Sequence, residues 1–233
     1  MKKVDRRSFL RLGAVTGLAA GMPVKAAVDA SSSSLPTSSA SSPGVKHYVR
    51  LGRTELKVSD ISFGSFPLRY GEEHVVHHAM NQGINYFDTA ESYGDGTSET
   101  VLGRALKGKR DQVYVATKIS AGSRDSAASM MQRLDESLSR LQTDYVDIFF
   151  NHAVNDLSRL KNEEWSTFAD KARSQGKVRF LGMSGHGGYL TECVDYAVEQ
   201  DMFDVLLLAT NFGEDPAFYE RFTRGFDFVA NQQ

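Results

Sequence analysis

From residue 61 onward, short apolar runs alternate with longer stretches in which apolar side chains recur every three or four positions. The first pattern marks a strand buried on both faces, the second a helix with one buried stripe. Runs at 61–64, 84–88, 113–117, 145–150, 178–183 and 205–209 predict six strands. Between them, five stripes predict five helices: Val75, Val76, Ala79 and Met80; Val101, Leu102, Ala105 and Leu106; Met130, Met131, Leu134, Leu138 and Leu141; Trp165, Phe168, Ala169 and Ala172; and Leu190, Cys193, Val194, Ala197 and Val198. Thr97-Ser98-Glu99 opens the second of these with hydroxyls that can cap free amides and a carboxylate at the positive helix end. Gly176 is placed to terminate the fourth. A further helix is predicted over 216–224. Upstream, two β-prone runs in 47–58 flank a Gly52-Arg53 turn and predict a small hairpin.

Strand and helix alternate with a period of about thirty residues, the length of a βαβ unit, which implies a parallel sheet covered by helices. An open doubly wound sheet would concentrate its ligand at one switch point and begin with a glycine-rich phosphate turn. The turn after the first strand is Gly64-Ser65-Phe66-Pro67, which lacks that G-x-G-x-x-G spacing. Polar residues follow several strands in succession instead: Asp88, Lys118, His152, Ser184 and Asn211. Reactive groups supplied one strand at a time are what the C-terminal face of a barrel offers. The predicted fold is therefore an α/β (β/α)8 TIM barrel, with six of its eight units in the chain.

Asp88, Tyr93 and Lys118 fall where two neighbouring strands end. A phenol there can give up a proton if an ammonium stabilises the phenolate left behind and a carboxylate holds the ammonium. Taken singly, each residue fits a turn cap or a solvated rim. Together, Asp88-Thr89-Ala90-Glu91-Ser92-Tyr93-Gly94 as a D-T-A-x-x-Y-G box, Lys118 closing the next strand and His152 closing the one after resemble the aldo-keto reductase family. The resemblance runs from about residue 48 to residue 211. It implies that a carbonyl is reduced to an alcohol by hydride from NADPH, with Tyr93 as general acid, Lys118 and Asp88 supporting it, and His152 orienting the carbonyl. It also implies that Ser184 holds the nicotinamide carboxamide and that Asn211 is a further cofactor-binding residue. Gly185-His186 stands where the family often has asparagine after that serine, and Leu207 where a glutamine is expected.

Composition narrows the partners. A hydrophobic fraction of 41% over 233 residues supplies a core, and a net charge of −2 offers no basic excess for phosphate backbones, so a small-molecule carbonyl is expected rather than nucleic acid. No H-x-H follows the first strand, so a metal-dependent hydrolase lacks its ligands. His74, His77 and His78 lie opposite the apolar stripe and are read as solvated. The single cysteine excludes an internal disulfide, and Cys193 on its helical stripe reads as core.

Residues 1–30 follow the plan of an export signal, with a basic start, a short apolar run and small residues around Lys25. Arg6-Arg7-Ser8-Phe9-Leu10 resembles the bacterial twin-arginine signal, which implies use of that export machinery, a periplasmic or otherwise exported protein, and no stable membrane span. Residues 31–45 are a serine-rich linker with little to bury. Residues 46–233 form the partial barrel. Two strands of the expected eight, about sixty residues, are not accounted for. The alternative to a working reductase is therefore an inactive barrel or binding relic that lacks the grip on a dinucleotide.

Overall fold

The computed structural model describes residues 44–209. The signal segment, nearly all of the linker, Asn211 and the helix expected over 216–224 lie outside the described residues. Eight strands and six helices follow in order: β1 Tyr48–Arg50, β2 Lys57–Ser59, β3 Phe63–Gly64, α1 Glu73–Asn81, β4 Tyr86–Asp88, α2 Thr97–Ala105, β5 Tyr114–Ile119, α3 Ala127–Leu141, β6 Val146–Asn151, α4 Leu157–Leu160, α5 Glu164–Ser174, β7 Val178–Gly185, α6 Leu190–Glu199 and β8 Val205–Leu208. Strands β3 to β8 form one sheet in chain order, every pair parallel. Each strand sits beside its predecessor and the order never reverses, so the sheet has no switch point among the described residues. That is the strand order of a (β/α)8 barrel, of which this sheet supplies six strands.

Register separates the two faces. Asp88 pairs with Ala116, Lys118 with Phe150, Phe150 with Gly182, Gly182 with Val205 and Ser184 with Leu207, so these side chains share the inner face. Phe150 fills the interior over Gly182, where an added Cβ would lie 2.3 Å from its ring. The outer face carries Phe87, Val115, Phe149, Leu181 and Met183, which pack with the helix stripes in one core. Cys193 is fully buried in that core, as its position on the stripe predicts.

The hairpin β1–β2 pairs antiparallel, with Val49 opposite Val58, and its Leu56 and Val58 pack against Ala116, Ile148 and Phe150. It is pinned to the start of β4: the Asn85 side chain accepts from Ser59 N (2.7 Å) and donates to Lys57 O (2.9 Å). Gly176 takes φ +70° just past α5, the left-handed stop expected of it.

Two local expectations need correction. Helix α2 is not capped by hydroxyls. Its N-cap is Gly96 at φ 82° with no side-chain bond. Ser98 turns inward to Ser65 (2.6 Å) and Thr89 (2.9 Å), while Glu99 is fully buried against Thr117 and Arg140. In α1 the buried residues are Val76 and Ala79, Val75 is exposed, and His77 is half-buried with Nε2 donating to Ala105 O at 2.8 Å. A turn of helix can bury only the side facing its neighbour, and α2 lies on the His77 side.

Candidate active site

The ends of β4, β5 and β6 bring the predicted quartet together. Asp88 is the last residue of β4, and Lys118 is the fifth of six in β5. Lys118 is 1% exposed, and its Nζ donates to Asp88 Oδ1 (2.6 Å), Thr89 O (2.7 Å) and the Tyr93 hydroxyl (3.2 Å). Three acceptors match the three hydrogens of an ammonium. Because Tyr93 accepts from Lys118, its own hydroxyl hydrogen is free to point elsewhere. Asp88 Oδ2 is buried with no partner, and burial, only partly offset by Lys118, raises the Asp88 carboxyl above the ordinary range.

Tyr93 is held by rings as well as by the ammonium. Phe66 meets it edge-on at 5.1 Å between centroids, and His152 does so at 5.8 Å. His152 lies one residue past β6 and donates its backbone N–H to Ile119 O (2.8 Å). Burial, then the positive charges of Lys118, His186 and Arg159, lower its pKa to about 4, so the ring is neutral near pH 7. Its Nδ1 is buried without a partner, leaving Nε2 as the nitrogen for a ligand.

Ser184 is the seventh of eight residues in β7, not a loop residue after it. It is 5% exposed, and its Oγ accepts from Ala153 N (3.1 Å), an arrangement that leaves the hydroxyl hydrogen to be donated. Leu207 stands beside it on β8, 42% exposed. A hydroxyl donor next to an open apolar side chain suits the amide edge and flat face of a nicotinamide, so the described residues fit that part of the cofactor. Asn211 lies outside them. No set of three or more histidine, cysteine, aspartate or glutamate side chains is placed to hold a metal among the described residues.

Three participants were not legible beforehand. Glu91, one of the variable positions of the box, is gripped by Arg133, which also bonds Asp125 (3.1 Å) and Ser120 O. Phe66 lies in the turn after β3, and nothing in that turn's sequence marks its contact with Tyr93. Arg159, on the short α4, donates to carbonyls around His152.

A parallel barrel sheet with a buried lysine–aspartate pair, a tyrosine and a neutral histidine at its C-terminal ends defines a class of barrel enzyme. The sequence profile of the Aldo/keto reductase family matches residues 69–208, more than half of the chain, and the chain belongs to that family. It is 36% identical over 179 residues to L-galactose dehydrogenase of Arabidopsis thaliana, a match covering 70% of this chain and 56% of that protein. Among solved structures, it is similar to the holo form of aldo-keto reductase AKR11C1 from Bacillus halodurans, with TM-score 0.69, 25% identity, and 78% and 63% of the two chains covered. It is also similar to an aldo-keto reductase of Klebsiella pneumoniae in complex with NADP and acetate, with TM-score 0.53, 29% identity, and 64% and 53% covered. The chain thus spans little more than half the length of that curated relative.

Proposed function

We propose that this chain reduces an aldehyde or ketone to the alcohol at the expense of NADPH. The observation that carries the reading is the Lys118 ammonium bonded at once to Asp88, Thr89 O and Tyr93, with the His152 ring beside the tyrosine. Oxidoreductase chemistry is general to the family, and the choice of NADPH is supported by the NADP complex of the Klebsiella relative.

Bound NADPH supplies the hydride to the carbonyl carbon. The residues of this chain handle the oxygen. Neutral His152 donates through Nε2 to the carbonyl oxygen and orients it. Tyr93 transfers its free hydroxyl hydrogen to that oxygen as the C–H bond forms, giving the alcohol and leaving a phenolate that Lys118 stabilises at 3.2 Å. A solvent proton then restores the phenol. Asp88 holds the ammonium in place against the cost of burying it. Ser184 would receive the nicotinamide amide, with Asn211 as its expected second partner.

The test is NADPH oxidation by the full chain on addition of aldehydes and ketones. Oxidation that requires the carbonyl and falls about a thousandfold in Tyr93→Phe supports the reading, since general acid catalysis contributes about 10²–10⁴-fold. A second reading, a binding relic, has one observation behind it: Leu207 stands beside Ser184 on β8 where the family's glutamine is expected. NADPH-independent ligand binding with no turnover in the same assay would favour it.

Residues 1–30 are proposed to direct export by the twin-arginine route, placing the protein in the periplasm. Retention of an Arg6→Lys, Arg7→Lys double variant in the cytoplasm would support this, and unchanged export would contradict it.

A further inference from the structure

Arg159 makes four hydrogen bonds among the described residues, and all end on uncharged oxygens. Its Nε donates to Ala121 O (2.7 Å), Nη1 to Ala153 O (2.7 Å), and Nη2 to Asn151 Oδ1 (3.0 Å) and His152 O (2.8 Å). One planar group therefore ties the segment after β5 to the end of β6 and to the turn that follows it. A rigid planar fork with five N–H donors can hold these four oxygens in one fixed geometry, one more than the three hydrogens of an ammonium can reach.

The turn needs such a hold. Ala153 has φ +52°, in the left-handed region that an L-residue with a side chain disfavours. It is pinned from both sides, its carbonyl by Arg159 and its N–H by Ser184 Oγ at 3.1 Å. Val154 N adds a bond to Ser184 O at 2.7 Å. The His152 ring has no comparable support of its own, because its Nδ1 is buried without a partner. Its position relative to Tyr93 is thus inherited from the backbone on which it stands.

We propose that Arg159 is a positioning residue: its guanidinium fork fixes the turn at Ala153 and thereby sets the His152 ring against Tyr93. The proposal rests on the role given to His152 above, and its test does not require turnover. Charged and titratable groups facing His152 are Lys118 from β5, His186 from the loop after β7, Glu91 from the loop after β4 and Arg159 itself. A variant that keeps the charge of Arg159 while removing the fork separates geometry from electrostatics.

The experiment is the Cε1–Hε1 NMR signal of His152 in the full 233-residue chain labelled at histidine, assigned with His152→Gln. The edge contact with Tyr93 displaces this signal from the free-histidine position. In Arg159→Lys it is expected to move toward that position and broaden, with far-ultraviolet circular dichroism unchanged. Where turnover is measurable, kcat should fall at least tenfold. A signal in Arg159→Lys that coincides with the wild type overturns the proposal. Should the variant not fold, the wild-type chain decides: the Arg159 Nε proton should exchange with solvent far more slowly than that of exposed Arg124, and equal rates overturn the fork. If the wild-type chain shows no carbonyl-dependent NADPH oxidation while the His152 signal responds to Arg159→Lys as expected, the carbonyl-reduction reading fails and the positioning role stands.

Discussion

Two carboxylates, one buried and one half-buried, sit at opposite ends of the sheet. Asp147, near the start of β6 and 1% exposed, has both oxygens engaged: Oδ1 accepts from Arg179 (2.6 Å), and Oδ2 from Arg110 (2.7 Å) and Val115 N (2.9 Å). Asp88, at the end of β4, uses one oxygen for Lys118 and leaves the other buried and unpaired. Glu99, under the helices, resembles Asp147 in giving one oxygen to Thr117 and one to Arg140. A fully satisfied carboxylate ties elements together, whereas one left unfinished keeps bonding capacity and a perturbed charge state. Of the five buried side-chain atoms without a partner among the described residues, Asp88 Oδ2, His152 Nδ1 and Asn151 Nδ2 sit at the candidate-site end, whereas Arg110 Nε lies beside Asp147 and Trp165 Nε1 on α5.

The difference can be broken or sharpened by substitution. Asp147→Ala strips one acceptor from Arg110 and Arg179 together and should cost about 3–5 kcal/mol in urea unfolding, the range for breaking a buried ion pair. Asp88→Asn keeps shape and an oxygen for Lys118 but removes the countercharge of its buried ammonium, so its cost should be about 2–3 kcal/mol, still below that of Asp147→Ala with its two guanidinium partners. If Asp88→Asn proved the more destabilising of the two, the division of labour between the ends would be wrong.

The smallest effect is pH-dependent. The unfolded chain protonates His152 near its ordinary pKa of about 6.5, whereas the folded chain resists until about 4. Between those values the unfolded state binds more protons, so stability should rise with pH and be lost as pH falls from 6.5 toward 4. Asp88 works with the opposite sign just above its ordinary value, because its folded pKa is raised and the folded state there binds more protons. The contribution of His152 is therefore read as the slope that disappears in His152→Gln. A slope unchanged by that substitution would mean that the ring is not held neutral by burial.

Strand periodicity and the box made the order of the sheet and the quartet Asp88, Tyr93, Lys118 and His152 readable in advance, because strand ends and their residue types are local features. Glu99 stands in the first turn as expected, but Ser98 does not cap, because a hydroxyl-rich helix start resembles a cap without being one. Yet Ser98 stands three, four and seven residues before Val101, Leu102 and Ala105, and that spacing already put it on the buried face. Arg159 left no such trace. Helix α4 is four residues long, too short for a stripe, and three of the oxygens that Arg159 holds belong to the backbone, which has no sequence pattern. The apolar run stops at Met183, so Ser184 reads as following its strand although β7 extends through Gly185, and its bond to Ala153 depends on a left-handed turn that an alanine does not advertise.

The central claim is that a hydride reaches a carbonyl carbon while Tyr93 protonates the oxygen. The most direct measurement is deuterium transfer: the full chain is incubated with NADPH deuterated at the transferable position and a carbonyl substrate that turns over, and the alcohol is analysed by mass spectrometry and NMR. One deuterium is expected on the carbinol carbon, with formation at least a hundredfold slower in Tyr93→Phe. An alcohol without deuterium, or one formed equally fast by Tyr93→Phe, would contradict it.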